Sequence, residues 1–411
     1  MSEEGWRLQR HALSRVLGAA SMTDLCDLCR APALEPVYQL PGSGRGLTVH
    51  LCDHCGLMQS LPRFGHAPLP AAAVSSSADW SNVRYGKGFR IEAGLAILRT
   101  RADFGQPLSV LDVGSNRGSF ARALLAEAPR AQLTCVEPDE RVAVSCSDIE
   151  RVESLRARIE DTSFADETFD IIHSCHMVQH LRSPNEVLAE HWRTLRTGGL
   201  LLVDAPNIAV IAADDILEEW FVDEHLFHFS AGTLARLLHA NGFEIIDGPD
   251  PSDRENLLFA ARKRPVAARP IARAPREADH GLQLVTGYIA NRARNLAALT
   301  KVAAELASLS HRRVALWGAG RLFDALVLHG GFDPKSLALL VDTHLNLHFD
   351  ERHGMKLSAP EALAGANPGL IVVMSRAFGG EISKIAKAQA PNAEILHYAD
   401  LLSRAHGRLA A

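Results

Sequence analysis

Short apolar runs alternate with stretches of helical spacing between residues 108 and 261, and this alternation restricts the chain more than any other feature. The runs 108–113, 133–137, 169–175 and 200–204 read as strands. Residues 120–127 and 185–195 read as helices, the second ending before Gly198-Gly199. Strands alternating with helices predict a parallel sheet covered on both faces. A helix over 233–240 and a closing pair of strands at 243–246 and 257–261 complete this unit. The pattern restarts at 313–317 and continues through 337–341, 370–374 and 394–397. The fold class is therefore α/β, with a large and a smaller α/β unit in one chain.

Four cysteines precede these units, as Cys26-x-x-Cys29 and Cys52-x-x-Cys55. Each pair puts two thiolates on one tight turn, and two such turns supply the tetrahedral sulfur set that Zn²⁺ prefers. Four soft ligands would fill the coordination sphere, so the metal is expected to be structural. His50 and His54 lie near enough in sequence to replace one sulfur. The other cysteines, Cys135, Cys146 and Cys175, read as buried free thiols.

The chain has 411 residues, 47 % of them hydrophobic, and a formal net charge of −5. That balance gives no general attraction to nucleic acid or to an anionic membrane. No stretch has the length of a spanning helix, and the acidic start lacks an apolar signal core, so a cytoplasmic protein is expected. Residues 6–20 suit a short packing helix, and 61–77 a Pro-, Ala- and Ser-rich connector ahead of a helix near 85–101. Pro265, Pro270 and Pro275 mark a basic linker. An apolar stripe over 282–309 predicts a long helix packed on the following domain, with a homodimer interface as the sharper reading.

The chemistry gathers at Asp112-Val-Gly114-Ser115-Asn116-Arg-Gly118, between a strand and a helix. Gly114 permits a tight turn and a close backbone approach to a ligand, and Gly118 does the same at the helix start. Glu137 ends the next strand, where a carboxylate can accept hydrogen bonds from both ribose hydroxyls. The middle glycine of a dinucleotide fingerprint is missing, and Asp112 would repel a pyrophosphate. It suits an ammonium group. S-adenosylmethionine offers an ammonium, a ribose and no phosphate, so the pattern favours it over NAD. Near the carboxyl end, Gly318-Ala-Gly320 and Asp342 repeat a weaker version of the turn and acid.

On these residues the segment resembles a class I S-adenosylmethionine-dependent methyltransferase. The chain as a whole resembles the zinc-containing sugar C-methyltransferases, which join an amino-terminal module with two Cys-x-x-Cys pairs, a methyltransferase domain and a Rossmann-like carboxyl-terminal domain. Asp223-Glu224-His225, followed by Phe227-His-Phe-Ser230, is similar to that family's Glu-His-aromatic motif. His180 stands where the family carries a histidine after the fourth strand. The resemblance implies that Glu224, His225 and His180 are catalytic, with His225 as general base. It also implies that a nucleotide sugar or other sugar is the small-molecule substrate. Histidine titrates near neutrality, as a general base for methyl transfer must. His176 reads instead as a satisfied histidine near the cofactor. The chain departs from the family at 251–256 and at 318–323, which bears on the acceptor more than on methyl transfer.

The expected layout is a tail over 1–20, a zinc-binding module over 21–62, a connector and helix over 63–106, the methyltransferase domain over 107–262, a linker over 263–281, and a helix with the second Rossmann-like domain over 282–411. One alternative is an RNA methyltransferase whose zinc module reads RNA, which the acidity of the chain opposes. A non-catalytic nucleotide-binding protein and a nicotinamide-dependent oxidoreductase built on Gly318 and Asp342 are the others.

Overall fold

The computed structural model describes residues 25–63, 87–264 and 271–407, apart from 348 and 377. The helix expected over 6–20, most of the 61–77 connector and the start of the 85–101 helix lie outside the described residues. The chain divides into two compact units, 1–210 with 221–285, and 211–220 with 286–411. Among the described residues no helix is long and apolar enough to cross a membrane.

The first unit opens with β1 (Leu34–Gln39), β2 (Thr48–Cys52) and β3 (Met58–Leu61), paired antiparallel. Helix α1 (Lys87–Arg101) leads to β4 (Ser109–Val113), whose Val110, Leu111 and Val113 are buried. Helix α2 (Ser119–Glu127) buries Phe120, Ala121, Leu124 and Leu125, the spacing of one helix face. Next come β5 (Gln132–Val136), α3 (Glu140–Ser147) and β6 (Val152–Leu155). The sequence reading missed α3 and β6. Val144 of α3 is exposed and β6 has no fully buried residue, so neither shows a clean apolar period.

Strand β7 (Phe169–Cys175) feeds α4 (Pro184–Thr194). Ser183 caps α4 by accepting from the Glu186 amide at 3.2 Å, and Pro184 sits in the first turn, where a missing N–H costs nothing. Strand β8 (Leu195–Pro206) begins earlier than expected. Gly198, at φ 79°, lets its first residues bulge, and the register against β7 jumps from Leu195 to Leu200. The short β9 (Phe227–His228) joins β3 and extends the amino-terminal sheet to β1-β2-β3-β9. Ser230 and Thr233 form a capping box ahead of α5 (Ala231–Ala240), which leads to β10 (Phe243–Asp247) and β11 (Asn256–Lys263).

The main sheet has the order β10-β11-β8-β7-β4-β5-β6. It is parallel except that β11 runs against both β8 and β10. A hairpin joins β10 to β11, and a hairpin can only join antiparallel strands. The winding reverses at β4, with β5 on one side and β7 on the other. Ligands of open α/β sheets bind at such a reversal, beyond the carboxyl ends of the strands. Leu95, Leu98, Phe120, Leu124, Leu133 and Leu202 share one buried cluster. Each contributes about 1.5–3 kcal/mol by leaving water.

Helix α6 (Pro275–Ser308) corrects the expected linker, which was to run to residue 281. Pro275 opens the helix instead of interrupting it, because its fixed φ and absent N–H suit a first turn. Gly281 holds the early turns close to Leu51 and Met58, where a Cβ would come within 3.0 Å of both side chains.

The second unit contains β12 (Val314–Trp317), α7 (Arg321–Gly330), β13 (Leu339–Val341), β14 (Glu351–Arg352), β15 (Met355–Ser358), α8 (Ala362–Ala366), β16 (Leu370–Val373), α9 (Gly379–Gln389), β17 (Glu394–His397) and α10 (Tyr398–Ala405). Its sheet order is β14-β15-β13-β12-β16-β17, and the winding again reverses beside the first strand, β12. Trp317, Val341, Leu363 and Ile371 lie in its core.

Candidate active site

The turn after β4 depends on left-handed backbone at Gly114 (φ 70°), Asn116 (φ 48°) and Gly118 (φ 74°). A Cβ on Gly114 would overlap the Met177 thioether, and one on Gly118 would meet Ile149 Cδ1 at 2.7 Å. Asparagine tolerates the left-handed region better than most residues, which explains why Asn116 can stand where a glycine is usual. Glu137, just past β5, is braced on this turn. Its Oε2 accepts from the Asn116 amide and its Oε1 from the Asp139 amide, both at 3.0 Å. Ser115 is buried in the turn, its Oγ 3.6 Å from Cys146 Sγ.

Asp112 is 1 % exposed, and its Oδ1 lies 2.7 Å from His173 Nδ1 on the adjacent strand. The His173 ring stacks on Phe120, with centroids 3.7 Å apart. Burial works against charge on this imidazole, but the Cys175 sulfur and the Asp112 carboxylate hold its pKa up at about 10. Asp112 Oδ2 is buried with no hydrogen-bond partner among the described residues. A ligand ammonium would satisfy that oxygen. Sequence reasoning missed His173. Asp112 and His173 are register partners in neighbouring parallel strands.

The structure brings His180, Glu224 and His225 together. His180 Nδ1 lies 2.8 Å from the Glu224 carbonyl oxygen, which can only accept, so Nδ1 carries the hydrogen. The Gln179 side-chain amide reaches His180 Nε2 at 3.2 Å. Burial pushes the His180 pKa down to about 4. Its ring stands edge-on to that of His225, with centroids 4.9 Å apart. His180 therefore holds the Glu224–His225 segment in place and is poorly suited to carry a proton at neutral pH.

The family comparison bears on the same stretch. A family model described as a methyltransferase domain matches residues 89–247. These residues form a methyltransferase domain. A protein of Mycolicibacterium smegmatis, named a probable S-adenosylmethionine-dependent methyltransferase, is 26 % identical over 140 residues, 34 % of this chain and 52 % of that protein. Methyltransferase str3 of Strobilurus tenacellus is 28 % identical over 141 residues, 34 % of this chain and 49 % of its own. The chain thus spans about half the length of these curated relatives. A solved S-adenosylmethionine-dependent methyltransferase from Mesorhizobium loti is similar at 16 % identity and a TM-score of 0.35, covering 41 % of this chain and 96 % of that one.

Next to the methyltransferase domain in the first unit, the four amino-terminal cysteines converge. Cys26 Sγ lies 3.5 Å from Cys55 Sγ, Cys29 Sγ lies 3.5 Å from Cys52 Sγ, and all four sulfurs fall within 4.8 Å of one another. Four sulfurs about 2.3 Å from a tetrahedral Zn²⁺ would stand roughly 3.8 Å apart, so this donor set fits the ion. His50 and His54 point elsewhere, to the carbonyl oxygens of Thr48 and Ile271. Gly56 (φ 78°) follows the second turn, and a Cβ there would meet Glu277 at 2.6 Å.

The sheet that carries the cysteines also holds the segment before His225. Asp223 accepts from Ser43 Oγ at 2.5 Å and from the Gly44 amide at 2.8 Å, and its carbonyl accepts from Arg45 at 3.0 Å. Ser43, Gly44 and Arg45 lie in the loop between β1 and β2.

In the second unit, Asp342 Oδ2 accepts from the Ala319 amide at 3.0 Å. Its Oδ1 accepts from the His344 and Leu345 amides at 3.0 and 2.8 Å. The carboxylate expected to meet a ribose is thus engaged by backbone. Residues 211–220 supply further acids to this unit. Arg376, just past β16, pairs with Asp215 at 3.0 Å and with Glu218 at 2.9 Å, and Tyr398, just past β17, donates to Asp215.

Proposed function

We propose that the protein transfers a methyl group from S-adenosylmethionine to a sugar or nucleotide-linked small molecule, with C-methylation of a ketosugar as the finer form. The observation that carries this reading is the pairing, inside a methyltransferase domain, of the braced Glu137 carboxylate with the unsatisfied Asp112 oxygen across the Gly114 turn. When bound, S-adenosylmethionine supplies an electrophilic methyl group on a sulfonium. Glu137 would accept from the ribose hydroxyls, Asp112 from the ammonium, and the Gly114–Gly118 backbone would approach the ligand closely. Glu224 and His225 are the acceptor-side residues, and His180 positions them through the Glu224 carbonyl. Cys26, Cys29, Cys52 and Cys55 would hold Zn²⁺ in a structural role.

Calorimetry with S-adenosylmethionine and S-adenosylhomocysteine on the full chain tests the donor site. Labelled S-adenosylmethionine, incubated with a panel of nucleotide sugars and a small RNA and followed by mass spectrometry, tests the acceptor. Label entering RNA but no sugar would replace the sugar reading. No heat with either ligand on folded protein would remove methyl transfer altogether.

A further inference from the structure

Strand β7 ends at Cys175, and strand alternation puts this side chain on the same face as His173, two residues earlier. The apolar run around Cys175 predicts a buried thiol, but the residue is only partly buried, unlike Cys135 and Cys146. Its sulfur lies 2.9 Å from His173 Nε2. Nδ1 of the same ring lies 2.7 Å from Asp112 Oδ1. Sulfur, imidazole and carboxylate, from two neighbouring strands, thus form one chain of contacts.

We propose that Cys175 is a modification site for peroxides, activated by His173 and Asp112, and that its oxidation weakens the hold on the methyl donor. The second half rests on the methyl-transfer reading, because it runs through Asp112. The first half stands on the cluster itself.

A thiol becomes a nucleophile when a base within hydrogen-bond reach takes its proton and a third group orients that base. The Asp112 carboxylate accepts, so Nδ1 carries a hydrogen and Nε2 is left to face the sulfur. Either the thiol donates to Nε2, or Nε2 has already taken the proton and donates to a thiolate. The two forms differ by one proton moved along a single contact, and both deliver a sulfur anion to an electrophile. The ring is pinned by its stacking on Phe120 and is itself 6 % exposed. Its raised pKa, noted above, keeps the proton on the ring once taken.

A second observation marks this cluster as a place where a ligand acts. Asp112 is 1 % exposed, and its Oδ2 has no hydrogen-bond partner among the described residues. One end of the chain of contacts is therefore a reactive sulfur, and the other is the oxygen that would meet the donor's ammonium. An oxygen atom added to the sulfur crowds a ring held against Phe120, and it removes the anion that balances the imidazolium. His173 is then left to Asp112 alone, and the carboxylate is drawn into that pair and away from the donor.

In the step, a sulfur electron pair attacks one oxygen of the peroxide. A sulfur–oxygen bond forms and the oxygen–oxygen bond breaks. The second oxygen leaves with that bond's electron pair, takes the proton held by His173 and departs as water or an alcohol. Sulfur is oxidised by two electrons to a sulfenic acid, the peroxide is reduced, and a thiol reductant reverses the change.

The full chain with its metal retained serves for the tests, with peptide mass spectrometry reading each cysteine. At about pH 6.5, iodoacetamide should label Cys175 about tenfold or more faster than it labels free glutathione, despite the partial burial of the residue. That rate should fall about tenfold in Asp112→Asn, because the base loses its orienting charge. A Cys175 no faster than glutathione, or a folded Asp112→Asn protein with the parent rate, overturns the activation. The comparison with glutathione needs no variant, so a failure of Asp112→Asn to fold leaves it decisive. Hydrogen peroxide followed by dimedone should then trap a sulfenic acid at Cys175. Peroxide should weaken the calorimetric affinity of the parent for S-adenosylmethionine about tenfold, dithiothreitol should restore it, and in Cys175→Ser the same treatment should change nothing. An oxidised parent that binds as the reduced one does, or a Cys175→Ser protein that loses affinity equally on treatment, overturns the link to the donor. A reduced parent that binds no S-adenosylmethionine would instead strike the methyl-transfer reading, with the labelling rates still deciding the activation.

Discussion

Removing metal from the cysteine cage should silence turnover while sparing donor binding. Structural Zn²⁺ supplies on the order of 10–16 kcal/mol, comparable with the whole stability of an ordinary domain. Cys52 ends β2 and Cys55 follows it, so loss of the metal would loosen the end of the β1-β2-β3-β9 sheet that carries the cage. That sheet reaches the acceptor side through the loop of Ser43, Gly44 and Arg45, which makes three hydrogen bonds to Asp223, two residues before His225. At about 1 kcal/mol each, these bonds hold the segment by roughly 3 kcal/mol, or about two powers of ten in the population of the ordered state. The hydrogen bonds described for Glu137 run to the Asn116 and Asp139 amides, not to the cage segment. Dialysis against a chelator, with metal content read by mass spectrometry, should therefore cut label transfer about a hundredfold and leave the calorimetric affinity for S-adenosylmethionine nearly unchanged. Asp223→Ala in metal-loaded protein should reproduce much of the loss with normal zinc content. A demetallated protein that keeps its rate, or an Asp223→Ala protein that loses nothing, would show that the path from cage to His225 carries no function.

Other outcomes are expected. Glu137→Ala should weaken S-adenosylmethionine binding about ten- to a hundredfold by calorimetry, because the bonds to the ribose are lost. The raised pKa of His173 implies stability that is full below about pH 6.5 and lost as pH rises toward about 10. Urea unfolding followed across that window should show the decline in the parent protein and a flatter profile in Asp112→Asn, and equal slopes would refute the pair. In the second unit, Arg376→Ala leaves Asp215 and Glu218 half-buried without their cation, and should cost about 3–5 kcal/mol, seen as an earlier thermal transition.

Local spacing carried much of this structure in the sequence itself. The apolar runs at 109–113, 132–136 and 169–175 fold as strands because their side chains are buried on a sheet covered by helices. The glycines of the Asp112–Gly118 loop sit where backbone must turn left-handed, and each Cys-x-x-Cys turn is a compact local unit. Such features depend on residues a few positions apart, so their order in the chain reveals them. Tertiary structure alone decided the pairing of Asp112 with His173, of His176 with Asp204 and Asn256, and of Asp223 with the 43–45 loop. It also decided that residues 211–220 belong with the carboxyl-terminal unit. These partners come from separate strands and loops tens to nearly two hundred residues apart. No periodicity encodes such pairings, because strand order and the desolvation of each polar group choose them only once the sheets have formed.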